Sequence, residues 1–172
     1  MTDAPNGILR PGVAADIFRL QDIERDAAAL FQGWPGINPS AITSVIALSD
    51  HLRSIEQGLS IVIEAEGRVV GFAIGDMQGP DAYLRELDVI RSCQQRGFGG
   101  RLVKAFIAAA REKGARDIYL ATFRTPPWNA PFYARMGFSE VPRSDYLQWM
   151  TDLEASQAAF LDLSTRVFMK LD

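Results

Sequence analysis

The sequence predicts a single α/β domain built around a mixed sheet, and three observations predict it. Two runs rich in β-branched residues, Ser60–Ala65 and residues 68–76, are joined by Glu66-Gly67, which signals a hairpin and so an antiparallel pair. A further strand, residues 82–90, leads through a glycine-rich turn into an amphipathic helix and then into residues 117–123, a nearly unbroken apolar run. Such a run belongs to a parallel strand covered on both faces, which makes the unit a crossover. At 172 residues the chain can bury one core, and pieces of these sizes leave no room for a second domain.

The elements follow in order. Ile8-Leu9-Arg10 reads as a first strand, closed by Pro11-Gly12. Asp16 is placed to cap a helix in which Ile17, Leu20, Ala27, Leu30 and Phe31 recur at helical spacing. Gly33 and Pro35-Gly36 break it. A second helix is expected from Pro39-Ser40 to Gly58, with Ile42, Val45, Ile46, Leu52 and Ile55 as its inner face and His51, beside Asp50, on its surface. Within the hairpin, Gly71 and Gly75 signal a bulge or a close approach. Gly79-Pro80 turns the chain into residues 82–90, where alternation puts Leu84, Glu86 and Asp88 on one face and Tyr83, Arg85 and Leu87 on the other. Leu102, Val103, Phe106, Ile107 and Ala110 form the inner face of the next helix, which Lys113-Gly114 stops. Pro126-Pro127 ends the apolar strand, residues 129–135 suit a short helix, and Gly137-Phe138 opens another strand. Residues 145–161 read as a helix, its Leu147, Met150, Leu153, Ala158 and Leu161 apolar, with Tyr146 and Trp149 as core or dimer contacts. Arg166–Leu171 alternates as a final strand.

Composition narrows the class of function. Apolar residues make up 48% and charged residues 23%, as in a globular domain. One cysteine, Cys93, excludes an internal disulfide framework, and with one histidine a Cys/His metal site is not expected. No apolar run is long enough to span a membrane, and the first residues lack the pattern of a signal peptide, so a cytoplasmic location is expected. The net charge of −3 argues against nucleic acid as a partner. Residues 85–143 nevertheless hold eleven Lys/Arg against five Asp/Glu, a basic half centred on the glycine turn that suits a polyanionic ligand.

That turn, Gln94-Gln95-Arg96-Gly97-Phe98-Gly99-Gly100-Arg101, is the most informative stretch. Glycines at the mouth of a helix let a ligand approach bare N–H groups, where the helix dipole favours negative charge. A dinucleotide fingerprint needs a third glycine where Leu102 stands, and a nucleotide P-loop needs a Gly-Lys-Ser/Thr triplet that does not occur here. The pattern Q/R-x-x-G-x-G/A is met by Gln94, Gly97 and Gly99. Glu86-Leu87-Asp88-Val89 precedes it, and Phe132-Tyr133-Ala134-Arg135-Met136-Gly137-Phe138 follows about 35 residues later. In these motifs and in element order from residue 8 to 141, the chain resembles the GNAT superfamily of N-acetyltransferases.

The resemblance implies a mostly antiparallel sheet whose central parallel strands splay to hold acetyl-CoA. It implies that the diphosphate lies on the N–H groups of Arg96, Gly97, Phe98, Gly99 and Gly100, helped by Gln94 and Gln95, with Arg96 and Arg101 reaching phosphate oxygens or simply solvated. Leu87 and Val89 would line the pantetheine arm, with the Val89 backbone paired to it like an added strand. Glu86 stands where the family often places its base, with Asp88 as second choice, and a salt bridge from Glu86 to an arginine is the competing reading. Tyr133 occupies the family's acid position, or packs on Phe138 as a core tyrosine. Asn129 is the candidate for the pantetheine-binding asparagine, although the family's usual position is here Pro126.

Other residues carry less. Cys93 has no histidine placed to activate it and reads as structural, while Trp34 either walls an amine pocket or staples its loop. The sequence therefore predicts transfer of an acetyl group from acetyl-CoA to a primary amine by direct attack in a ternary complex, without a metal. The alternative is a catalytically inactive CoA-binding regulatory or partner-binding module. A small-molecule or peptide amine is the expected partner, and a homodimer is expected from symmetry frequency alone.

Overall fold

A computed structural model describes residues 7–35 and 44–172. Seven strands form one sheet in the order β1 (Ile8–Pro11), β2 (Ser60–Ala65), β3 (Arg68–Gln78), β4 (Asp81–Val89), β5 (Ile118–Phe123), β7 (Arg166–Leu171) and β6 (Phe138–Glu140). Every neighbouring pair is antiparallel except β4 and β5, which run parallel around the crossover helix α3 (Phe98–Glu112). The remaining helices are α1 (Ile17–Ala28), α2 (Leu48–Glu56), α4 (Ala130–Arg135) and α5 (Gln148–Gln157). The fold class and the hairpin, crossover and final strand stand as the sequence predicts.

Two glycines seat the crossover helix on the sheet. A Cβ on Gly71 would lie 3.2 Å from Leu102 of α3, and one on Gly75 would lie 2.5 Å from the Phe106 ring. Residues 71, 73 and 75 thus face α3. Phe72, on the opposite face, meets His51 of α2 with ring centroids 6.0 Å apart.

The register of β3 against β4 corrects the simple alternation. Ile74 pairs with Glu86 but Gly75 pairs with Leu84, so Arg85 is an extra residue in a β-bulge. The bulge puts Tyr83 on the same face as Glu86 and Asp88, opposite Asp76, Ile74 and Phe72. Leu84, Leu87 and Val89 take the α3 face. Arg85 then reaches the buried Asp76 carboxylate at 2.6 Å.

Helices α2 and α5 also depart from expectation. Helix α2 begins at Leu48, and the stretch 36–43, with its expected helix start and Ile42, lies outside the described residues. Its inner residues are His51 and Ser54, whereas Leu52 is exposed. Helix α5 is shorter than expected, and its buried residues are Met150 and Glu154, the latter paired with Arg143 at 3.0 Å. Trp149 packs edge-on against Tyr119 and Phe168 and tilted against Tyr83, making α5 part of a satellite core over β4, β5 and β7.

His51 makes the first prediction. It is 0% exposed, neither ring nitrogen has a hydrogen-bond partner among the described residues, and burial lowers its pKa despite the neighbouring Asp50. The folded state therefore holds the neutral ring while the unfolded chain protonates near pH 6.5, so this residue's contribution to stability is lost as pH falls through that value. Thermal melts at pH 7.5 and 5.5 should show a larger acid-induced fall in Tm for the native chain than for His51→Leu. Equal falls would place the acid sensitivity elsewhere.

Candidate active site

The parallel pairing of β4 with β5 stops at Leu84 and Leu120, although β4 runs on to Val89 and β5 to Phe123. Beyond that point the two strands part, and a cleft of about 850 Å3 opens between them. The ladder dictates what β4 shows to this gap. Ile90 donates to the Val70 carbonyl at 2.9 Å, which makes residues 90, 88 and 86 the ones bonded to β3. The N–H and C=O groups of Leu87 and Val89 consequently point the other way, into the gap. The Val89 carbonyl accepts a hydrogen bond from the Gln94 side chain at 2.9 Å. Among the described residues no strand pairs with this edge beyond Leu84.

The glycine turn forms one end of this cleft. Gln95 and Gly97 both take left-handed backbone conformations, φ +60° and +80°, and this reverses the chain into α3. The N–H groups of Phe98, Gly99 and Gly100 open the helix, where the carbonyls four residues back lie outside it and do not receive them. A Cβ on Gly99 or Gly100 would project toward Phe132 or Met136 of the α4 region at 3.6 and 3.7 Å, filling the space between the two helices. A bare, amide-lined cradle of this kind fits a phosphate group. Gln94, Gln95, Gly97, Phe98, Gly99 and Gly100 all line the cleft, with the Phe98 ring buried beneath the turn. The Arg96 and Arg101 side chains are directed elsewhere: Arg96 lies over the Phe98 ring near Glu66, and Arg101 donates to the Gly7 carbonyl at 2.6 Å.

The cleft also gathers titratable groups. Glu86 and Asp88 project from β4, and Glu24 reaches in from α1, both of its oxygens 3.0 Å from the Ile46 N–H. Burial and then the charge on Glu86 push the Glu24 carboxyl up to about 8. Glu86 is raised by burial, against the pull of Arg166, the Leu87 N–H and Arg85. Asp88 lies well above the usual carboxylate range through burial and repulsion from Glu86 and Glu24. Three carboxyls this close cannot all ionise freely, so protons are retained among them near neutral pH.

Tyr133 of α4 is buried between Phe132 and Phe138, yet it also lines the cleft, and no hydrogen bond engages its hydroxyl among the described residues. Burial and the charges of Glu86 and Asp88 hold its phenol protonated, well above the ordinary tyrosine range. Asn129 precedes α4 and donates to Thr122 at 2.8 Å, while its Oδ1 is buried without a partner among the described residues and the residue faces the cleft. Phe31, Phe123 and Trp128 form an aromatic wall, with Trp34 edge-on to Trp128 and bonded to Thr125 at 3.2 Å. Trp34 staples the loop. Cys93 is buried, 4.0 Å from the Ser92 hydroxyl and 3.7 Å from Arg96.

A model of the acetyltransferase (GNAT) family matches residues 22–138. The chain belongs to this family. Solved GNAT-type structures superpose over almost its full length. A PaiA N-acetyltransferase from Thermoplasma acidophilum, in complex with coenzyme A, has a TM-score of 0.74 at 16% identity, over 97% of this chain and 99% of that one. Naa50 from Arabidopsis thaliana, in complex with the bisubstrate analogue CoA-Ac-MVNAL, has 0.66 at 12%, over 96% and 98%. A ribosomal-protein-alanine N-acetyltransferase from Brucella melitensis has 0.65 at 19%, over 95% and 98%. At these identities the likeness is one of fold. As a GNAT acetyltransferase the chain is an acyltransferase. No described helix is long and apolar enough to cross a membrane.

Two residues of this GNAT cleft escaped the sequence reading. Glu24 stands four residues after Leu20 and seven after Ile17, so it interrupts the apolar stripe of α1, and that misplaced charge was its signal. Arg166 reaches the cleft from β7, where an arginine opening an alternating strand gives no sequence signal of its own.

Proposed function

We propose that this GNAT protein moves an acetyl group from acetyl-CoA to a primary amine, by direct attack while both substrates are bound. The observation that carries the reading is the open edge of β4. Leu87 and Val89 turn main-chain groups into a gap lined by the amide cradle of α3 and by Glu24, Glu86, Asp88 and Tyr133. An extended chain bearing a diphosphate at one end fits that path as an added strand.

Acetyl-CoA, when bound, supplies an acyl thioester open to attack by an amine. The amides of Gly97, Phe98, Gly99 and Gly100 would hold the diphosphate, Leu87 and Val89 would align the arm, and the Val89 N–H would serve as a fixed donor to charge developing on the acyl oxygen. Alkyl amines titrate near 10.4, so a proton must be removed, and the carboxylate cluster led by Glu86 receives it. The Tyr133 hydroxyl, held protonated, donates to the departing sulfur. The second carboxylate of a half-ionised cluster also favours a cationic amine entering from solvent.

Initial velocities measured across a grid of acetyl-CoA and amine concentrations should give intersecting double-reciprocal lines. Parallel lines would require an acyl-enzyme and overturn direct attack. Failure of acetyl-CoA to bind in calorimetry would overturn the assignment of the cleft.

A further inference from the structure

Among the described residues Arg166 is a cleft arginine with no ion pair, its charge met only at a distance by Glu86. It is half-buried at the end of β7, with its guanidinium 4.6 Å above the Phe123 ring. Among the described residues its Nε, sealed from solvent, has no hydrogen-bond partner, and no carboxylate comes within ion-pair distance of it. The contrast with its neighbours is sharp. Arg143 and Arg124, on the adjoining surface, each hold a glutamate, at 3.0 and 2.7 Å, and Arg85 holds Asp76.

A partly buried guanidinium whose Nε is sealed from solvent and unbonded, with Glu86 acting on it only at a distance, gains from a ligand that supplies an anion. Its flat fork matches a carboxylate in two parallel hydrogen bonds, better than any other side chain does. The cation–π contact with Phe123 helps to hold the guanidinium at the cleft wall. The carboxylates Glu86, Asp88 and Glu24 line the same cleft. One cleft therefore presents acids for an amine and a base for an acid.

We propose that the acceptor is a free amino acid: its amino group is directed to the carboxylate cluster and its carboxylate to Arg166. This rests on the acetyl-transfer reading above. Phe31 and Trp128 border the same space and suit an apolar side chain on that amino acid. Arg166 is then a specificity-determining residue. The competing role, in which Arg166 only holds Glu86 ionised from a distance, would affect every amine alike.

The test is acetyl transfer from acetyl-CoA to leucine, methionine and phenylalanine, to their amides, and to the matching amines that lack the carboxyl group. The expected result is a kcat/KM for the free acids about 100-fold above that for the amides, a preference that falls to near unity in Arg166→Gln. Folding and cofactor binding of the variant are checked by circular dichroism and by calorimetric titration with CoA. Loss of that size is what removal of a charged bidentate contact gives. Equal rates for acids and amides, or an unchanged acid preference in the variant, would overturn the proposal. So would acetyl-CoA binding without transfer to the free acids, with the acetyl-transfer reading left standing if the amides or amines react. Absence of both cofactor binding and transfer to any of these amines would overturn the two readings together.

Discussion

Gly75→Val should prevent the chain from reaching its native fold. A Cβ at this position would stand 2.1 Å from the Tyr83 carbonyl oxygen and 2.5 Å from the Phe106 ring. The first is backbone of the neighbouring strand, fixed by the ladder, and the second belongs to a fully buried side chain of α3. Neither can give way without pulling the crossover helix off the sheet. Overpacking of a core ordinarily costs about 1–3 kcal/mol, and collision with backbone at a bulge costs more than that. Against a typical stability of about 5–15 kcal/mol the loss is a large fraction. The expected outcome is insoluble expression, or a far-ultraviolet spectrum and denaturation midpoint far below those of the native chain. A variant with native-like stability would show that β3 and α3 are not as close as described.

The same glycine shows what sequence could and could not reveal. A glycine inside a β-branched run signalled close packing or a bulge, and both are present. The bulge itself lies on the partner strand, at Arg85, whose residue type is unremarkable for a strand. Alternation therefore assigned Tyr83 and Leu84 to the wrong faces, while Glu86 and Asp88, beyond the insertion, kept their common side. Likewise the period of α2 was legible but its inner face was not. His51 replaced Leu52 as a core residue because Phe72 offered it a ring to pack on, a tertiary fact. The glycine turn needed no such context, since bare amides opening a helix are a local property of the chain. The unpaired edges of Leu87 and Val89 and the reach of Arg166 depend on register between distant segments, which no local pattern encodes.

Glu86→Gln should lower kcat by about 10²–10³ while leaving CoA affinity within a few fold, because it removes a proton acceptor and keeps the shape. Tyr133→Phe should likewise lower turnover without loss of CoA binding. The pH dependence carries the finer information. All three carboxyls are raised by burial, and Glu24 and Asp88 also by neighbouring carboxylates, Glu24 to about 8, so the cluster becomes fully ionised only as the solution passes above neutrality. The rate for the native chain should rise with pH through that range and level off above it. The sign for stability is opposite. The folded state retains protons that an unfolded glutamate has already lost near 4.3, so stability declines as pH rises from there toward 8. Removing one negative charge in Glu86→Gln lowers the remaining repulsion. The variant should therefore melt at a higher temperature than the native chain at pH 8 and lose part of that advantage at pH 5, while its activity is low at both. Native-like turnover in this variant would remove Glu86 from the proton path. A Tm difference independent of pH would show that the three carboxyls are not coupled.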